Sequence, residues 1–252
     1  MLRCIKMWRA PLSAPPGAVD NALIRTSLKR AGTRPHAMDQ HYLTPLFDPQ
    51  SIVLFTGPQQ QPDMLPWWTT YFAVESVEAT SAAVVANGGS IIAPAMDVME
   101  AGRMAVVADP HGAVFSLWQA NGHAGIGVAG VLGSRCWSEL ATRHPDAAGE
   151  FYAAVFGWRP VEFTGSHYVR FEHGDDAAGG MLHLDETFPA EIPEHWVVYF
   201  LAPDAAATCA QAAALGATIM MPPTPIPMIG QFAVLFDPQG ATFNLLQPDP
   251  QG

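Results

Sequence analysis

Two stretches of this sequence repeat each other and decide the fold. Residues 196–247 read WVVYFLAPDAAATCAQAAALGATIMMPPTPIPMIGQFAVLFDPQGATFNLLQ, and residues 68–119 read WTTYFAVESVEATSAAVVANGGSIIAPAMDVMEAGRMAVVADPHGAVFSLWQ. They align without a gap at a constant offset of 128 residues, and 20 of the 52 aligned pairs are identical. A fixed offset of this kind indicates duplicated structural units. The sequence therefore predicts a duplicated domain.

Each copy predicts the order strand, helix, strand, strand, strand. In the second copy, Trp196–Leu201 is aromatic and β-branched, which favours a strand. Asp204 is suited to cap a helix over the alanine-rich Ala205–Leu215. The segment Pro222–Gly230 predicts a loop, because prolines interrupt regular structure. The last two strands flank Asp-Pro-Gln-Gly at 237–240, whose residue types suit a type I turn.

A third, more divergent unit lies between the two copies. Cys136–Ala141 predicts its first strand, and Pro145 fits the first position of a helix that ends before Gly157. Together with the second copy, this unit predicts a domain over residues 135–250. A linker over 121–134 joins it to a first domain over 41–120, which lacks the opening strand and helix. The fold class is therefore α+β, with tandem β-α-β-β-β units and mixed sheets.

The basic N-terminal segment, residues 1–40, stands where the missing strand and helix of the first domain belong. Residues 1–34 carry a net charge of +6, and residues 35–252 carry −17. Three interpretations stay open: an organelle transit peptide, a divergent disordered segment, or the product of a wrong start or shifted reading frame. The third explains why so regular a repeat loses its opening elements.

Composition excludes several classes of protein. Apolar residues make up 49% of the 252 residues and charged residues 14%, which argues against a mostly disordered chain. The net charge of −11 argues against a nucleic-acid partner, and no apolar run is long enough to span a membrane. The three cysteines, Cys4, Cys136 and Cys209, lack metal-ligand spacing and are expected to be reduced thiols of a cytoplasmic protein.

The tandem units with Asp-Pro-x-Gly hairpins resemble the vicinal oxygen chelate superfamily, which includes glyoxalase I, bleomycin-resistance proteins and extradiol dioxygenases. The segment from Trp137 to Ala148, followed by Phe151-Tyr152 and Phe156-Gly157-Trp158, is similar to the opening of its glyoxalase-like members. The resemblance covers residues 41–250. It implies that two units pack into a curved eight-stranded sheet around a cavity.

The resemblance also implies positions for metal ligands. In metal-using relatives, each unit offers one ligand near the start of its first strand and one in its last strand. The two repeat copies carry Thr69 with Ser116 and Val197 with Asn244 at these positions, where a metal-binding relative has stronger ligands. The central unit offers Glu139 and, in or near its last strand, His183. The predicted metal set is therefore Glu139, His183 and the weak ligand Asn244.

Each of these residues has a second interpretation. Glu139 is a candidate metal ligand or general base, or else a cavity carboxylate hydrogen-bonded to a neighbour. The alternative for His183 is an ordinary sheet histidine. Five aromatic residues are candidates for bordering the second cavity or for ordinary packing between sheet and helix: Tyr152, Phe156, Trp158, Tyr199 and Phe232. His111 is expected to be solvated, and Asp109 to bond the backbone of its turn.

Two functions compete on this evidence. The first is a metal-dependent lyase, isomerase or dioxygenase that acts on a small oxygenated metabolite. The second is a binding protein without chemistry that sequesters a small, antibiotic-like molecule. Strands poor in metal ligands favour the second, and the fold alone does not decide. Either way, the expected partner is a small molecule bound by a monomer or weak dimer, with a divalent metal as the one candidate cofactor.

Overall fold

A computed structural model describes residues 67–125, 129–163 and 168–249. Within these ranges no helix is long and apolar enough to cross a membrane. The predictions for residues 1–40, and for the part of the first domain before residue 67, lie outside the described residues.

The first repeat copy forms a four-stranded mixed sheet with one helix. Its elements are β1 (Tyr71–Ala73), α1 (Val77–Ala86), β2 (Ser90–Val98), β3 (Gly102–Ala108) and β4 (Val114–Ala120). The sheet order is β1-β4-β3-β2, in which β1 runs parallel to β4 and the other neighbours are antiparallel. The side chain of Ser76 caps α1 by accepting from the amide of Ala79.

The central unit and the second copy repeat this order of elements. The central unit contains β5 (Arg135–Thr142), α2 (Pro145–Phe156), β6 (Arg159–Glu162), β7 (Tyr168–His173) and β8 (Asp176–His183). The second copy contains β9 (His195–Leu201), α3 (Ala205–Ala214), β10 (Thr218–Ile226), β11 (Gly230–Phe236) and β12 (Thr242–Pro248). Their eight strands follow the order β10-β11-β12-β9-β5-β8-β7-β6. The predicted α+β class with mixed sheets is confirmed.

The prediction of a loop over Pro222–Gly230 was wrong for most of that segment. Strand β10 continues to Ile226 through three prolines, with register shifts between Ile219 and Met221 and between Met221 and Thr224. It tolerates them because β10 is the edge strand of its sheet, where one side of the backbone needs no partner. Strand β2 is also an edge strand and passes through Pro94 in the same way.

The described residues fall into two compact units. The first unit contains Thr69–Gly125 and Trp137–Val197, and the second contains Val198 onward with the described residues around 67–68 and 129–136. These units do not coincide with the predicted domains over 41–120 and 135–250, so that division stays a prediction.

Each unit has its own apolar core beneath its helices. The core of the first unit collects aromatic rings from the first copy, such as Phe72 and Phe115, and from the central unit, such as Tyr152 and Phe156. The core of the second unit contains Val198, Phe200 and Leu245 and is contacted by Trp68. Trp68 and Trp196 occupy equivalent positions in the two copies but pack in different cores. Trp68 contacts the core of the second unit, whereas Trp196 belongs to the core of the first unit.

We expect the thiols of Cys136 and Cys209 to resist alkylation and disulfide exchange. Burial raises the pKa of Cys136 to about 12 and also raises the pKa of Cys209, so few molecules carry the reactive thiolate near neutral pH. In a Cys4→Ser background, labelling by DTNB at pH 8 should be at least about a hundredfold slower in the native protein than in urea. Equal rates in both states would contradict this.

Candidate functional site

The strand register separates two faces of the central unit. Glu139 on β5 pairs with Gly180 on β8, which pairs in turn with Arg170 on β7, so these three positions share one face. The alternate positions, Leu140 and Met181, belong to the apolar core. Glu139 is only 7% exposed although it lies on the face opposite this core. A carboxylate buried in this way requires polar partners.

Tyr168 supplies one of these partners. The indole Nε1 of Trp137 donates to the hydroxyl oxygen of Tyr168 over 2.7 Å, and the hydroxyl is also hydrogen-bonded to Glu139. Burial, followed by the negative charge of Glu139, raises the pKa of Tyr168 well above its usual value, so the phenol stays protonated and donates to the carboxylate. We call Trp137, Glu139 and Tyr168 the Glu139 cluster.

Gly180 makes room for this cluster. A Cβ atom at Gly180 would lie 1.8 Å from the hydroxyl oxygen of Tyr168 and 2.7 Å from Nε1 of Trp137. Any side chain at position 180 would therefore push the phenol away from its place above the sheet.

The register also tests whether the family's metal positions fit a metal. In both repeat copies, the residue two places after the first-strand position pairs with the last-strand position, namely Tyr71 with Ser116 and Tyr199 with Asn244. In the central unit the first-strand position is Glu139, and the residue two places after it, Ala141, pairs with Leu182. The true equivalent of Ser116 and Asn244 is therefore Leu182, which has no donor atom. Of the six positions compared, all of them described, Glu139 alone carries a strong ligand, so these positions do not fit a metal.

His183 lies one residue beyond that position, and a shift by one residue along a strand reverses the face. It pairs with Thr142, three residues after Glu139, so His183 and Glu139 lie on opposite faces of the sheet. His183 instead lines a surface cleft of about 540 Å³ with Arg143 and residues 184–187. The structure does not bring the predicted metal ligands Glu139 and His183 together.

In the second unit, Tyr199, Phe232 and Asn244 share the sheet face that is turned away from the core. Asn244 pairs with Tyr199 and with Val234, two residues from Phe232, whereas the flanking Phe243 and Leu245 enter the core. The side-chain oxygen of Asn244 is buried without a hydrogen-bond partner among the described residues. Such an acceptor is costly to leave unsatisfied, and a ligand hydroxyl could satisfy it.

The other three aromatic candidates lie in the core of the first unit. Tyr152, Phe156 and Trp158 stack on one another, with ring centroids 4.8–6.2 Å apart. The hydroxyl of Tyr152 accepts from Nε1 of Trp196 over 2.8 Å and donates to Oδ2 of Asp109 over 3.1 Å. This placement agrees with ordinary packing between sheet and helix. Contact of these three residues with a ligand stays a prediction that the geometry does not support.

Sequence reasoning missed a second polar cluster in the first unit. The ligand atoms of His111, His144 and Glu194 all lie within 4.8 Å of one another, and the two imidazole rings stack with centroids 3.9 Å apart. Nδ1 of His144 is 2.6 Å from Oε1 of Glu194. One sequence signal was available, because the second copy has Gln239 where the first has His111 in an otherwise shared turn. The other two residues meet only through the fold.

Neighbouring backbone and hydroxyl groups hold Glu194 in place. Its Oε2 accepts from the hydroxyl of Thr142 over 2.5 Å, and its Oε1 accepts from the amide of Arg143 over 3.2 Å. Burial alone would raise the pKa of Glu194, but these hydrogen bonds, the contact with His144 and the field of His111 outweigh it and lower that pKa. Glu194 is therefore an ionised, oriented carboxylate.

The sequence of the chain is similar to a known family model and to known proteins. The family model described as Glyoxalase/Bleomycin resistance protein/Dioxygenase superfamily matches residues 134–245. The chain is 44% identical over 191 residues to "Putative glyoxylase CFP32" of Mycobacterium tuberculosis, which is 75% of this chain and 72% of that protein. It is 35% identical over 245 residues to "Anthracycline biosynthesis protein DnrV" of Streptomyces peucetius, covering 95% of this chain and 84% of that protein.

Solved structures resemble the chain as well. The crystal structure of 2,2',3-trihydroxybiphenyl 1,2-dioxygenase from Sphingomonas wittichii strain RW1 superimposes with a TM-score of 0.48 at 12% identity, covering 73% of this chain and 71% of that one.

Proposed function

Because the chain belongs to the Glyoxalase/Bleomycin resistance protein/Dioxygenase superfamily, we propose that it binds a small organic metabolite on the sheet face of the Glu139 cluster, without a metal at the family's ligand positions. That it is a glyoxalase-like protein acting on or binding a small metabolite follows from its relatives. What we propose beyond this is that the metabolite binds on the sheet face of the Glu139 cluster and that no metal takes part at the family's ligand positions.

The buried carboxylate of Glu139 carries this proposal. It is held by the phenol of Tyr168, which is in turn held by Trp137, so one carboxylate and two aromatic edges meet on a sheet face outside the core. Apolar walls with a few fixed polar groups are typical of small-molecule sites. Glu139 would accept a hydrogen bond from a ligand hydroxyl. The ligand-poor residues Val197 and Leu182 are the reason to propose a metal-free site.

The relatives named for anthracycline biosynthesis suggest the first probe, an anthracycline. We expect saturable binding, followed by ligand fluorescence, that persists in excess EDTA. Glu139→Gln should weaken affinity about tenfold or more, because it removes the charge from a buried hydrogen-bond acceptor. Loss of binding on chelation, or absence of saturable binding, would contradict the proposal.

A pair of glycine variants tests the place of the ligand. Gly180→Ala should weaken binding at least tenfold, because its methyl group displaces the Tyr168 phenol. Gly149→Ala is the matched control, because its Cβ meets Pro160 at an ordinary 3.5 Å in the middle of α2. The control should bind like wild type and gain about 0.5–1 kcal/mol of stability from reduced backbone entropy. Equal binding by both variants would place the ligand elsewhere.

Enzymatic turnover is the second candidate function, because the hydrogen bond from Tyr168 fixes the orientation of the Glu139 carboxylate. In that case Glu139 would act as a general base toward the bound metabolite. Product formation from a bound ligand, lost in Glu139→Gln at saturating ligand, would favour an enzyme over a binding protein. The net charge of −11 argues against a nucleic-acid partner. We also propose that the chain works in the cytoplasm as a monomer or weak dimer, without a membrane partner.

A further inference from the structure

We propose that His111, His144 and Glu194 form a binding site for a divalent transition-metal ion, with Zn²⁺ the best suited. This site is separate from the family's ligand positions and from the Glu139 cluster. Thr142, whose hydroxyl holds Glu194, lies three residues after Glu139 on β5 and so points to the opposite face of the sheet. The site therefore does not depend on the proposed function.

The donor set matches the chemistry of zinc. Two imidazole nitrogens and one carboxylate oxygen are a common ligand combination for this ion, and they leave a fourth position open to water. With bonds of about 2.0–2.1 Å, ligand atoms of a tetrahedral site lie about 3.3 Å apart. The three donor atoms already lie within 4.8 Å of one another. Nδ1 of His144 and Oε1 of Glu194 are hydrogen-bonded at 2.6 Å, which is closer than this spacing, so a bound ion would replace that hydrogen bond and separate the two atoms. His111 is partly exposed and His144 exposed, so both side chains have room to rotate toward the ion.

The surroundings of Glu194 resemble the second shell of a metal site. The glutamate side chain is 8% exposed, and its two oxygens accept from the Thr142 hydroxyl and the Arg143 amide. Such partners fix the orientation of a ligating carboxylate. His144 occupies the N-cap position of α2, yet its side chain makes no capping hydrogen bond and turns to Glu194 instead. An oriented carboxylate therefore faces an imidazole that takes no part in capping α2.

Three distant segments of the first unit meet at this site. His111 comes from the turn between β3 and β4, where Oδ1 of Asp109 accepts from the His111 amide and holds the turn. His144 comes from the junction of β5 with α2, and Glu194 directly precedes β9. A bound ion would therefore fasten the turn of the first repeat copy to the central unit. The second copy has Gln239 at the equivalent of His111 and lacks this donor set.

Titration calorimetry of the full-length, untagged protein with ZnCl₂ tests the site. We expect one equivalent of Zn²⁺ to bind with micromolar or tighter affinity, and Mg²⁺ to bind at least a hundredfold more weakly because it prefers oxygen ligands. Co²⁺ should give the visible absorption of a four-coordinate site. His111→Ala and Glu194→Gln should each lower the Zn²⁺ affinity at least a hundredfold, since each removes or neutralises a direct ligand.

His123→Ala serves as the matched control, because this histidine belongs to the same unit but not to the cluster. It should bind Zn²⁺ like wild type. His111→Ala changes only a partly exposed turn residue, so it keeps the test informative if Glu194→Gln fails to fold. Zn²⁺ binding that survives in both cluster variants, or no saturable binding by wild type, would overturn the proposal and leave an ordinary imidazole–carboxylate pair.

Discussion

Replacing Phe72 by alanine should lower the free energy of unfolding of the first unit by about 3–5 kcal/mol. Phe72 is 7% exposed, and its ring lies 4.9–5.4 Å from four other aromatic rings, those of Phe115, Phe156, Trp158 and Trp196. These four contacts cannot be restored by collapse of the neighbours, because each neighbouring ring is already fixed by others of the same cluster. The variant therefore loses both burial and aromatic contacts.

Urea denaturation followed by far-UV circular dichroism measures this loss. The control is Phe163→Ala, because Phe163 follows β6 in the same unit but is 46% exposed. It should cost less than about 1 kcal/mol, including the loss of its contact with the guanidinium of Arg170. Similar losses in the two variants would show that the aromatic cluster is not the centre of this core.

The repeat made most of this fold predictable. Identity between the copies at the Asp-Pro-x-Gly turns placed both hairpins, and in each copy Asp109 or Asp237 accepts from two amides of its turn. Edge position could not be predicted in the same way. A proline-containing segment such as residues 222–226 can be a strand only where one side of its backbone is unpaired. The order of the strands in the sheet decides this, and the local sequence does not reveal that order.

The candidate site was less predictable, for two physical reasons. One is register: an error of a single residue moved the assignment from Leu182 to His183 and so from one face of the sheet to the other. The other is distance along the chain. His111, His144 and Glu194 come from three segments that no local pattern connects. Glu139 was accessible to sequence reasoning because it occupies a defined place in a repeated unit.

Gly230→Ala should be the most damaging substitution in the second unit, with an expected loss of about 3–5 kcal/mol from a steric clash and backbone strain together. A Cβ at Gly230 would lie 2.0 Å from the carbonyl oxygen of Gln247, and the residue has a φ of +144°. The obstacle is backbone within the sheet, because Gly230 pairs with Pro248 at the start of β11, so rotation of a side chain cannot relieve it.

Two further variants separate these causes. Gly240→Ala has a φ of +95° but nothing within 4 Å of its Cβ, so it should show strain alone, about 1–2 kcal/mol. Gly102→Ala, at the equivalent position of the first copy, brings its Cβ to 2.5 Å from the carbonyl oxygen of Gln119 and should show mainly the clash, about 1–3 kcal/mol. If Gly230→Ala lowers the free energy of unfolding no more than Gly240→Ala does, the close approach of β11 to β12 is not the reason for glycine at position 230. If its loss is instead near the sum of the losses of the other two variants, clash and strain both contribute. The glycine that the two copies share at positions 102 and 230 is then explained by the close approach of neighbouring strands.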